Sequence, residues 1–261
     1  MSRERPLEGR TVLLTRPESE GRELAARLAN LGARVVTEPV VAFESLAEAP
    51  EARSAAERVD RYDLLVFTSA NGVRFFAEAL RRVGKEPGDV RVRVAAVGPG
   101  TAKALRESGF VVQRVAAESR ADGLAAELRG EVRPGTRVLW ARAESVRRVL
   151  PEALAAAGAE VDEVAVYRTL ASARAPAAAA RLATGDLDAV VFASPSAVRL
   201  LLEAVPGSSA AAAGGLRRAR RVAIGEVTAA ALDRAGYPAS SVAGAPTDDE
   251  LESALLRSFR D

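Results

Sequence analysis

The segment Asp63–Leu80, DLLVFTSANGVRFFAEAL, recurs along the chain as Asp188–Val205, DAVVFASPSAVRLLLEAV. In both copies a continuous apolar run follows an aspartate, which is typical of a strand buried on both faces of a parallel sheet. A polar turn comes next, and apolar residues then recur at helical spacing, at Val73, Phe76 and Leu80 in the first copy. Each copy therefore predicts a strand, a turn and a helix, which is the repeating pattern of an α/β fold.

The repeat extends over most of the chain. Thr11–Ser45 returns in weaker form as Arg137–Ser172, and Arg93–Phe110 returns as Arg220–Tyr237. The offset is about 126 residues, which is one domain-sized unit and much longer than the repeats of about 20 to 50 residues that build solenoids. The sequence therefore predicts two similar, flavodoxin-like lobes with a cleft between them.

Two segments in equivalent places of the repeat, Pro39–Ser45 and Glu163–Leu170, both have strand-like sequences. If they pair, they form a two-stranded bridge and the chain crosses between the lobes twice. The sequence alone does not decide whether the chain crosses in this way. Ahead of the first segment, leucines at helical spacing predict a helix that ends at Gly32. The run Arg34–Val41 then predicts a single second strand.

Composition excludes several classes of chemistry. The chain has no histidine and no cysteine, so Ser-His-Asp and Cys-His nucleophiles, thiol redox couples and the usual zinc or iron–sulfur sites cannot be built from its side chains. Any reaction must use hydroxyls, phenols, carboxylates, amines, guanidinium groups and backbone amides. We expect neither a bound metal nor a cofactor.

The net charge is only +2, but the basic residues are almost all arginine, with lysine at Lys85 and Lys103 alone. Guanidinium groups bind carboxylates and phosphates, so an anionic ligand is one interpretation, and the base composition of the genome is the other. Nucleic acid is not expected as a partner, because there is no basic stripe and aromatic residues make up only 4%. No apolar stretch reaches the about 18 residues of a membrane span or forms a signal peptide, so we expect a cytoplasmic protein.

Four polar turns follow strands and open helices. In doubly wound folds ligands lie at the carboxyl ends of the strands, where free amides at helix N-termini favour anions. The turns are thus candidate carboxylate or phosphate sites, although serine, threonine and asparagine are also ordinary helix caps. The dinucleotide fingerprint is not supported, because Gly98 and Gly100 are followed by Lys103 where a third glycine belongs. The candidate residues of the turns are Ser69, Asn71, Thr101, Ser194, Ser196 and Thr228.

Three further residues are candidates outside these turns. Tyr167 lies in the second bridge segment, and without histidine its phenol is one of few groups able to donate a proton or bind an anion. The alternative is a half-buried strand tyrosine with no role in chemistry. Arg16 and Arg142 occupy equivalent places in the two copies and are candidate substrate-binding residues.

Together these motifs resemble the uroporphyrinogen-III synthase family. The resemblance covers essentially the whole chain and depends on the order and spacing of six blocks, because no single motif is diagnostic. It implies two α/β lobes joined by a two-stranded β-ladder, with lobe 1 formed by residues 1–38 and 171–261, lobe 2 by residues 46–162, and the connecting strands by residues 39–45 and 163–170. The blocks are VLLTRP, DLLVFTSANGV, AAVGPGTAKAL, VAVYRT, VVFASPSAV and AIGEVTAAAL.

The resemblance also implies a reaction. A cofactor-free lyase of this family closes hydroxymethylbilane, a linear tetrapyrrole, into uroporphyrinogen III with inversion of ring D and loss of water. Tyr167 would assist departure of the hydroxyl. Ser69, Thr101, Ser194 and Thr228 would bind carboxylates together with neighbouring backbone amides, so single substitutions at Ser69 or Ser194 should cost little.

Two positions depart from the family pattern, Asn71 and Glu226. An acidic Glu226 beside a carboxylate-rich substrate would be unfavourable unless it points away. We further expect a monomer that receives its substrate by transient handover from the enzyme making hydroxymethylbilane. The rival interpretation is a two-lobe binding protein or sensor that closes on an anionic small molecule without catalysis. A flavin- or nucleotide-dependent reductase is weakened by the missing fingerprint.

Overall fold

The structure is a computed structural model that describes residues 5–118, 120–207 and 209–260, apart from the side chain of Ser19. The chain forms two compact units. The first unit combines the residues up to Ala42 with those from Leu170 onward, and the second unit is Phe43–Thr169. Each unit has its own sheet, covered by helices.

In the described residues the strands are β1 (Thr11–Leu14), β2 (Arg34–Thr37), β3 (Val41–Ser45), β4 (Leu64–Phe67), β5 (Arg93–Ala96), β6 (Arg114–Val115), β7 (Arg137–Ala143), β8 (Glu160–Ala171), β9 (Ala189–Phe192), β10 (Arg220–Ala223) and β11 (Ser241–Val242). The α-helices of the same residues are α1 (Glu18–Asn30), α2 (Pro50–Glu57), α3 (Ala70–Arg82), α4 (Pro99–Glu107), α5 (Ala121–Arg129), α6 (Val149–Ala156), α7 (Ala175–Thr184), α8 (Pro195–Glu203), α9 (Ala210–Arg218), α10 (Glu226–Arg234) and α11 (Asp248–Ser258).

The sheet of the first unit has the order β11-β10-β9-β1-β2, and the pairs along it are parallel. Strands β1 and β9 are apolar and fully buried along their length, as expected for central strands covered on both faces. One face packs against α1 and α11, where Leu24, Leu28, Leu251 and Leu255 are buried together. The carboxyl ends of β1, β9 and β10 therefore come to one edge of a rigid layer.

The sheet of the second unit has the order β3-β8-β7-β4-β5-β6. Strands β4, β5, β6, β7 and β8 pair in parallel. Strand β3 lies beside β8 at the edge of the sheet, and Leu46 N, just after β3, donates to Val166 O at 2.9 Å. Phe67 of β4 packs against Phe76 of α3 with ring centroids 5.8 Å apart, so the helix after β4 is held firmly on the sheet.

The predicted strand–turn–helix units are confirmed, because Ser69 and Ser194 each separate a buried strand from a helix. The predicted single strand over Arg34–Val41 is wrong, since β2 ends at Thr37 and β3 begins at Val41. Pro39 lies between them, and because proline has no N–H it cannot donate to a ladder. Backbone bonds to the end of β1 lie on both sides of Pro39: Glu38 N donates to Leu14 O and Val40 N donates to Thr15 O, each at 3.0 Å. The segment therefore advances by two residues while its partner on β1 advances by one, which ends the regular register.

Candidate active site

Strand register brings the candidate residues of the second unit to one edge of its sheet. Phe67, the last residue of β4, lies opposite Ala96 of β5 and Ala141 of β7, and Ala143 of β7 lies opposite Tyr167 of β8. The turns that follow β4, β5 and β7 therefore surround the carboxyl edge, where Tyr167 also lies. This is the edge at which parallel α/β sheets bind their ligands.

Ser69 caps helix α3 and contacts Tyr167. Its backbone is extended and its Oγ accepts a hydrogen bond from Gly72 N at 3.0 Å, which satisfies one of the free amides of the first turn. The same Oγ lies 3.2 Å from the phenolic oxygen of Tyr167, and either hydroxyl can be the donor. Two predicted site residues that are 98 positions apart in the sequence thus form one hydrogen-bonded pair.

Gly72 permits this arrangement. A Cβ at this position would lie 3.0 Å from Ala141 O and 3.2 Å from Ser69 Oγ. The first turn of α3 therefore lies so close to the end of β7 that a side chain at this position would require its neighbours to shift by a few tenths of an ångström. In the sequence Gly72 was visible only as part of a polar turn. Its close packing depends on the pairing of β4 with β7, which brings the end of β7 beside α3.

The ring of Tyr167 is fixed by two phenylalanines. Phe75 of α3 stacks on it with centroids 5.4 Å apart at an interplanar angle of 22°, and Phe43 of β3 meets its edge at 5.7 Å and 76°. Only 7% of the residue is exposed. A tyrosine enclosed in this way keeps its hydroxyl in one place at low cost in entropy.

The surroundings of Tyr167 also set its protonation. Burial raises the pKa of the phenol above its ordinary value, and the hydrogen bond with Ser69 opposes that rise without cancelling it. The hydroxyl is therefore protonated at neutral pH. It can donate a hydrogen bond or a proton but does not act as a base.

Asn71 and Thr101 lie at the first turns of neighbouring helices. Asn71 is half-buried in the first turn of α3, and Thr101 is buried in the first turn of α4. Helix α4 begins after Gly98, whose backbone is extended, with Pro99 at its first position. Both residues therefore lie among the amides that a helix N-terminus leaves without intrahelical partners.

Arg142, near the end of β7, is engaged by protein groups. Its Nε lies 3.2 Å from Glu163 Oε2, and its Nη1 donates at 2.8 Å to the carbonyl oxygens of Ala143 and Glu144. The other oxygen of Glu163 accepts two bonds from Arg148, at 3.0 and 2.5 Å. The close approach of Arg142 Nε to Glu163 Oε2 is an ion pair without hydrogen-bond alignment, and both atoms are buried.

The first unit has a matching arrangement of capped helices at its own carboxyl edge. Phe192 at the end of β9 lies opposite Ala223 at the end of β10. Ser194 caps α8 by accepting a hydrogen bond from Ala197 N at 3.1 Å. Ser196 is half-buried in the first turn of α8, and Thr228 is buried in the first turn of α10.

Glu226 opens helix α10 and is exposed. A carboxylate in the first turn interacts favourably with the positive end of the helix dipole, so Glu226 stabilises the start of α10. The following residue, Val227, is 57% exposed, which is unusual for a large apolar side chain in this fold. Glu226, which we expected to depart from the family pattern, thus lies on an exposed part of the turn.

Arg16, just after β1, is also engaged. Its Nη2 lies 2.7 Å from Asp248 Oδ1 in the first turn of α11, while its buried Nε has no hydrogen-bond partner among the described residues. Thr247 caps that helix by accepting from Glu250 N at 3.3 Å, and the Glu250 carboxylate accepts from Gly244 N at 3.3 Å. Sequence reasoning found both arginines and missed their partners, Asp248 and Glu163.

Over residues 5–118, 120–207 and 209–260, no group of three or more acidic side chains is arranged to hold a metal ion. Within the same ranges, no helix combines the length and the hydropathy needed to cross a bilayer. The groups that these sites present include backbone amides, hydroxyls, guanidinium groups and one protonated, buried phenol.

The family model described as uroporphyrinogen-III synthase HemD matches residues 22–252. The chain belongs to the uroporphyrinogen-III synthase family. A Methanothermobacter thermautotrophicus protein that carries the family name is 32% identical over 232 residues, which cover 87% of this chain and 90% of that one. The uroporphyrinogen-III synthase of Synechococcus elongatus is 30% identical over 198 residues, 75% of each chain.

Solved structures of this family share the fold. A crystal structure of a mutant uroporphyrinogen III synthase from Thermus thermophilus matches with a TM-score of 0.68 and 24% identity, over 96% of this chain and 99% of that one. The Helicobacter pylori enzyme matches with a TM-score of 0.63 and 17% identity, over 95% and 99%. The mixed α/β architecture with parallel sheets is therefore the architecture of the family.

Proposed function

We propose that this protein is a uroporphyrinogen-III synthase, a lyase that closes hydroxymethylbilane to uroporphyrinogen III with inversion of ring D and loss of water. The observation that carries the proposal, beyond family membership, is the Tyr167–Ser69 pair. It places a buried, protonated phenol at the carboxyl edge of a parallel sheet, beside helix N-termini that suit a substrate rich in carboxylates.

The chemistry needs an acid at one point. The carbon–oxygen bond of the substrate hydroxymethyl group breaks, the hydroxyl leaves as water, and an azafulvene cation remains for attack by a pyrrole carbon. When Ser69 Oγ donates to the Tyr167 oxygen, the phenolic proton is directed away from Ser69 and toward the leaving hydroxyl. Because its pKa is raised, Tyr167 assists mainly by hydrogen bonding. Any proton that it gives to the leaving hydroxyl departs with the water and is replaced when the cation, after attack by the pyrrole carbon, loses a proton.

The acetate and propionate groups of the substrate require donors. We assign this role to the free amides at the starts of α3 and α4 in the second unit and of α8 and α10 in the first unit. The side chains that accompany these amides are Ser69, Asn71, Thr101, Ser194, Ser196 and Thr228.

Arg16 and Arg142 are proposed as further carboxylate ligands. Each already pairs with a protein carboxylate, Asp248 or Glu163. A substrate carboxylate would therefore share the guanidinium with that partner, so we assign the arginines a smaller share of the binding energy than the amides.

The duplication and the lobes are also part of the proposal. We assign residues 1–38 and 171–261 to lobe 1, residues 46–162 to lobe 2, and residues 39–45 and 163–170 to a connecting two-stranded ladder. The strand orders support the duplication. Written as β2-β1-β9-β10-β11 and β8-β7-β4-β5-β6, the two sheets have the equivalent strands of the two copies in equivalent positions. The division of the chain near Ala42 and Leu170 supports the same boundaries.

The location, the oligomeric state and the supply of substrate are also part of the proposal. We propose a cytoplasmic monomer, since the duplication supplies the pairing that two single lobes would otherwise need. It would take up hydroxymethylbilane by transient handover from the enzyme that makes it. No cofactor enters this scheme, because dehydration and carbon–carbon rearrangement need no redox group.

The experiment adds purified protein to freshly generated hydroxymethylbilane, oxidises the products and separates the type I and type III uroporphyrin isomers. Unassisted closure gives type I, so predominance of type III over a heat-unfolded sample of the same protein is the expected result. Type I alone, from protein with the circular dichroism of a folded α/β chain, would contradict catalysis. It would favour the rival, a two-lobe binding protein or sensor for an anionic small molecule.

A further inference from the structure

A second group of charged residues lies at the opposite, amino edge of the sheet in the second unit. Tyr62 comes just before β4, while Arg137 and Glu160 begin β7 and β8 and lie opposite each other in the register. Arg58 follows α2, and Arg61 ends the short 3-10 turn after it. The proposed reaction uses none of these residues.

These side chains enclose a cavity of about 250 Å³, which we call the arginine pocket; it is lined by Arg58, Arg61, Tyr62, Arg137, Glu160 and Asp162. Tyr62 forms its floor, being only 9% exposed, and its hydroxyl donates to Asp162 Oδ2 at 2.7 Å. The volume is slightly below the about 300 Å³ at which pockets for drug-sized ligands begin. It therefore suits an occupant of a few heavy atoms.

The three guanidinium groups are not equally engaged. Arg137 Nε lies 3.6 Å from Glu160 Oε2, so these two charges offset each other. Arg58 Nε donates to the carbonyl oxygen of Ser54 at 3.2 Å. Among the described residues neither Arg58 nor Arg61 has an ion-pair partner, which leaves two guanidinium groups beside a concave surface.

The charges of this group act on the phenol. Burial and then the bond to Asp162 raise the pKa of Tyr62, and the positive charges of Arg58 and Arg137 act against that rise. Both guanidinium groups thus lie close enough to Tyr62 to influence its hydroxyl. Asp162 accepts a hydrogen bond from the phenol and keeps its charge, so three guanidinium groups lie beside two carboxylates, Glu160 and Asp162, and the group has one net positive charge.

We infer that the arginine pocket is a binding site for a small dianion, such as a phosphate group or a short dicarboxylate, held by Arg58 and Arg61. A guanidinium group offers two parallel N–H donors that match a carboxylate or a phosphate. Two such groups beside one small cavity match a ligand with two negative charges. The inference is independent of the reaction proposed for the carboxyl edge.

The test is a titration of 15N-labelled full-length protein with inorganic phosphate, and separately with succinate, at constant ionic strength. We expect saturable shifts of the arginine side-chain signals of Arg58 and Arg61. In an Arg58→Gln/Arg61→Gln variant the dissociation constant should rise at least about tenfold, since two charge-assisted contacts are lost. Arg129→Gln, which changes an exposed arginine in the last turn of α5, is the matched control and should leave binding unchanged.

Acetate should bind at least about tenfold more weakly than succinate, because only a dianion engages both guanidinium groups. Should the double variant fail to fold, Arg61→Lys keeps the charge, removes the fork and should weaken binding by itself. Shifts that grow linearly without saturation, or that are the same in wild type and variants, would overturn the inference. Saturation by phosphate but not succinate would restrict the site to phosphate groups.

Discussion

At the scale of single residues, Ser69 and Ser194 form a natural comparison. Each caps a helix by accepting an amide three residues ahead, at 3.0 and 3.1 Å, but only Ser69 also contacts Tyr167. Replacement of either by alanine should lower the free energy of unfolding by about 1 kcal/mol through loss of the cap. Ser69→Ala should in addition lower turnover by about two- to tenfold, because one hydrogen bond to the phenol is lost.

Urea unfolding and initial rates of type III formation measure the two effects separately. Ser194→Ala is the control, since it removes a cap at equal cost in stability without touching Tyr167. Equal turnover of the two variants, at equal stability, would show that Ser69 does not position the phenol. The sequence predicted small effects at both positions, and it is the contact with Tyr167 that separates them.

At the scale of secondary-structure elements, helices α7 and α9 of the first unit meet at Gly215. A Cβ on Gly215 would lie 1.7 Å from Leu182 O, whereas a Cβ on the neighbouring Gly214 would meet only the end of the flexible Arg218 side chain, at 3.2 Å. Gly215→Ala should therefore force the helices apart and lower the free energy of unfolding by about 3 kcal/mol or more. Gly214→Ala should leave stability unchanged or raise it by up to about 1 kcal/mol, as alanine favours a helix.

Thermal or urea unfolding of the two variants, which are one residue apart in the same helix, measures this difference in stability. Similar stabilities would mean that α7 and α9 do not approach as closely as described. This contact could not be predicted from the sequence, because the alanine-rich sequence of both helices carries no distinctive pattern.

The elements themselves were largely predictable, because buried parallel strands and amphipathic helices leave local patterns at periods that any short window reveals. The break in the predicted strand at Pro39 was missed because apolar valine pairs, Val35–Val36 and Val40–Val41, lie on both sides of it, although the missing N–H was visible in the sequence. Ion pairs were not predictable. Arg16 and Asp248 are 232 positions apart, and only the packing of α11 beside β1 brings them together.

At the scale of the whole molecule, the absence of histidine and cysteine restricts the available chemistry to a few groups. The chain has three tyrosines, and two of them, Tyr62 and Tyr167, are buried in the second unit with hydroxyls that are hydrogen-bonded. They lie at opposite ends of one sheet, Tyr62 before β4 and Tyr167 beside the end of β7. Catalysis is assigned to Tyr167 and not to Tyr62.

The most direct test is therefore the initial rate of type III isomer formation by Tyr167→Phe, measured beside wild type and Tyr62→Phe. Both substitutions remove a hydroxyl and its hydrogen bond from a buried ring, so Tyr62→Phe controls for general loss of packing. Tyr167→Phe should reduce turnover by about ten- to hundredfold, the effect of losing a hydrogen bond to a charged group in the transition state, while Tyr62→Phe stays near wild type. Unchanged turnover of Tyr167→Phe would remove the tyrosine from the mechanism and contradict the account.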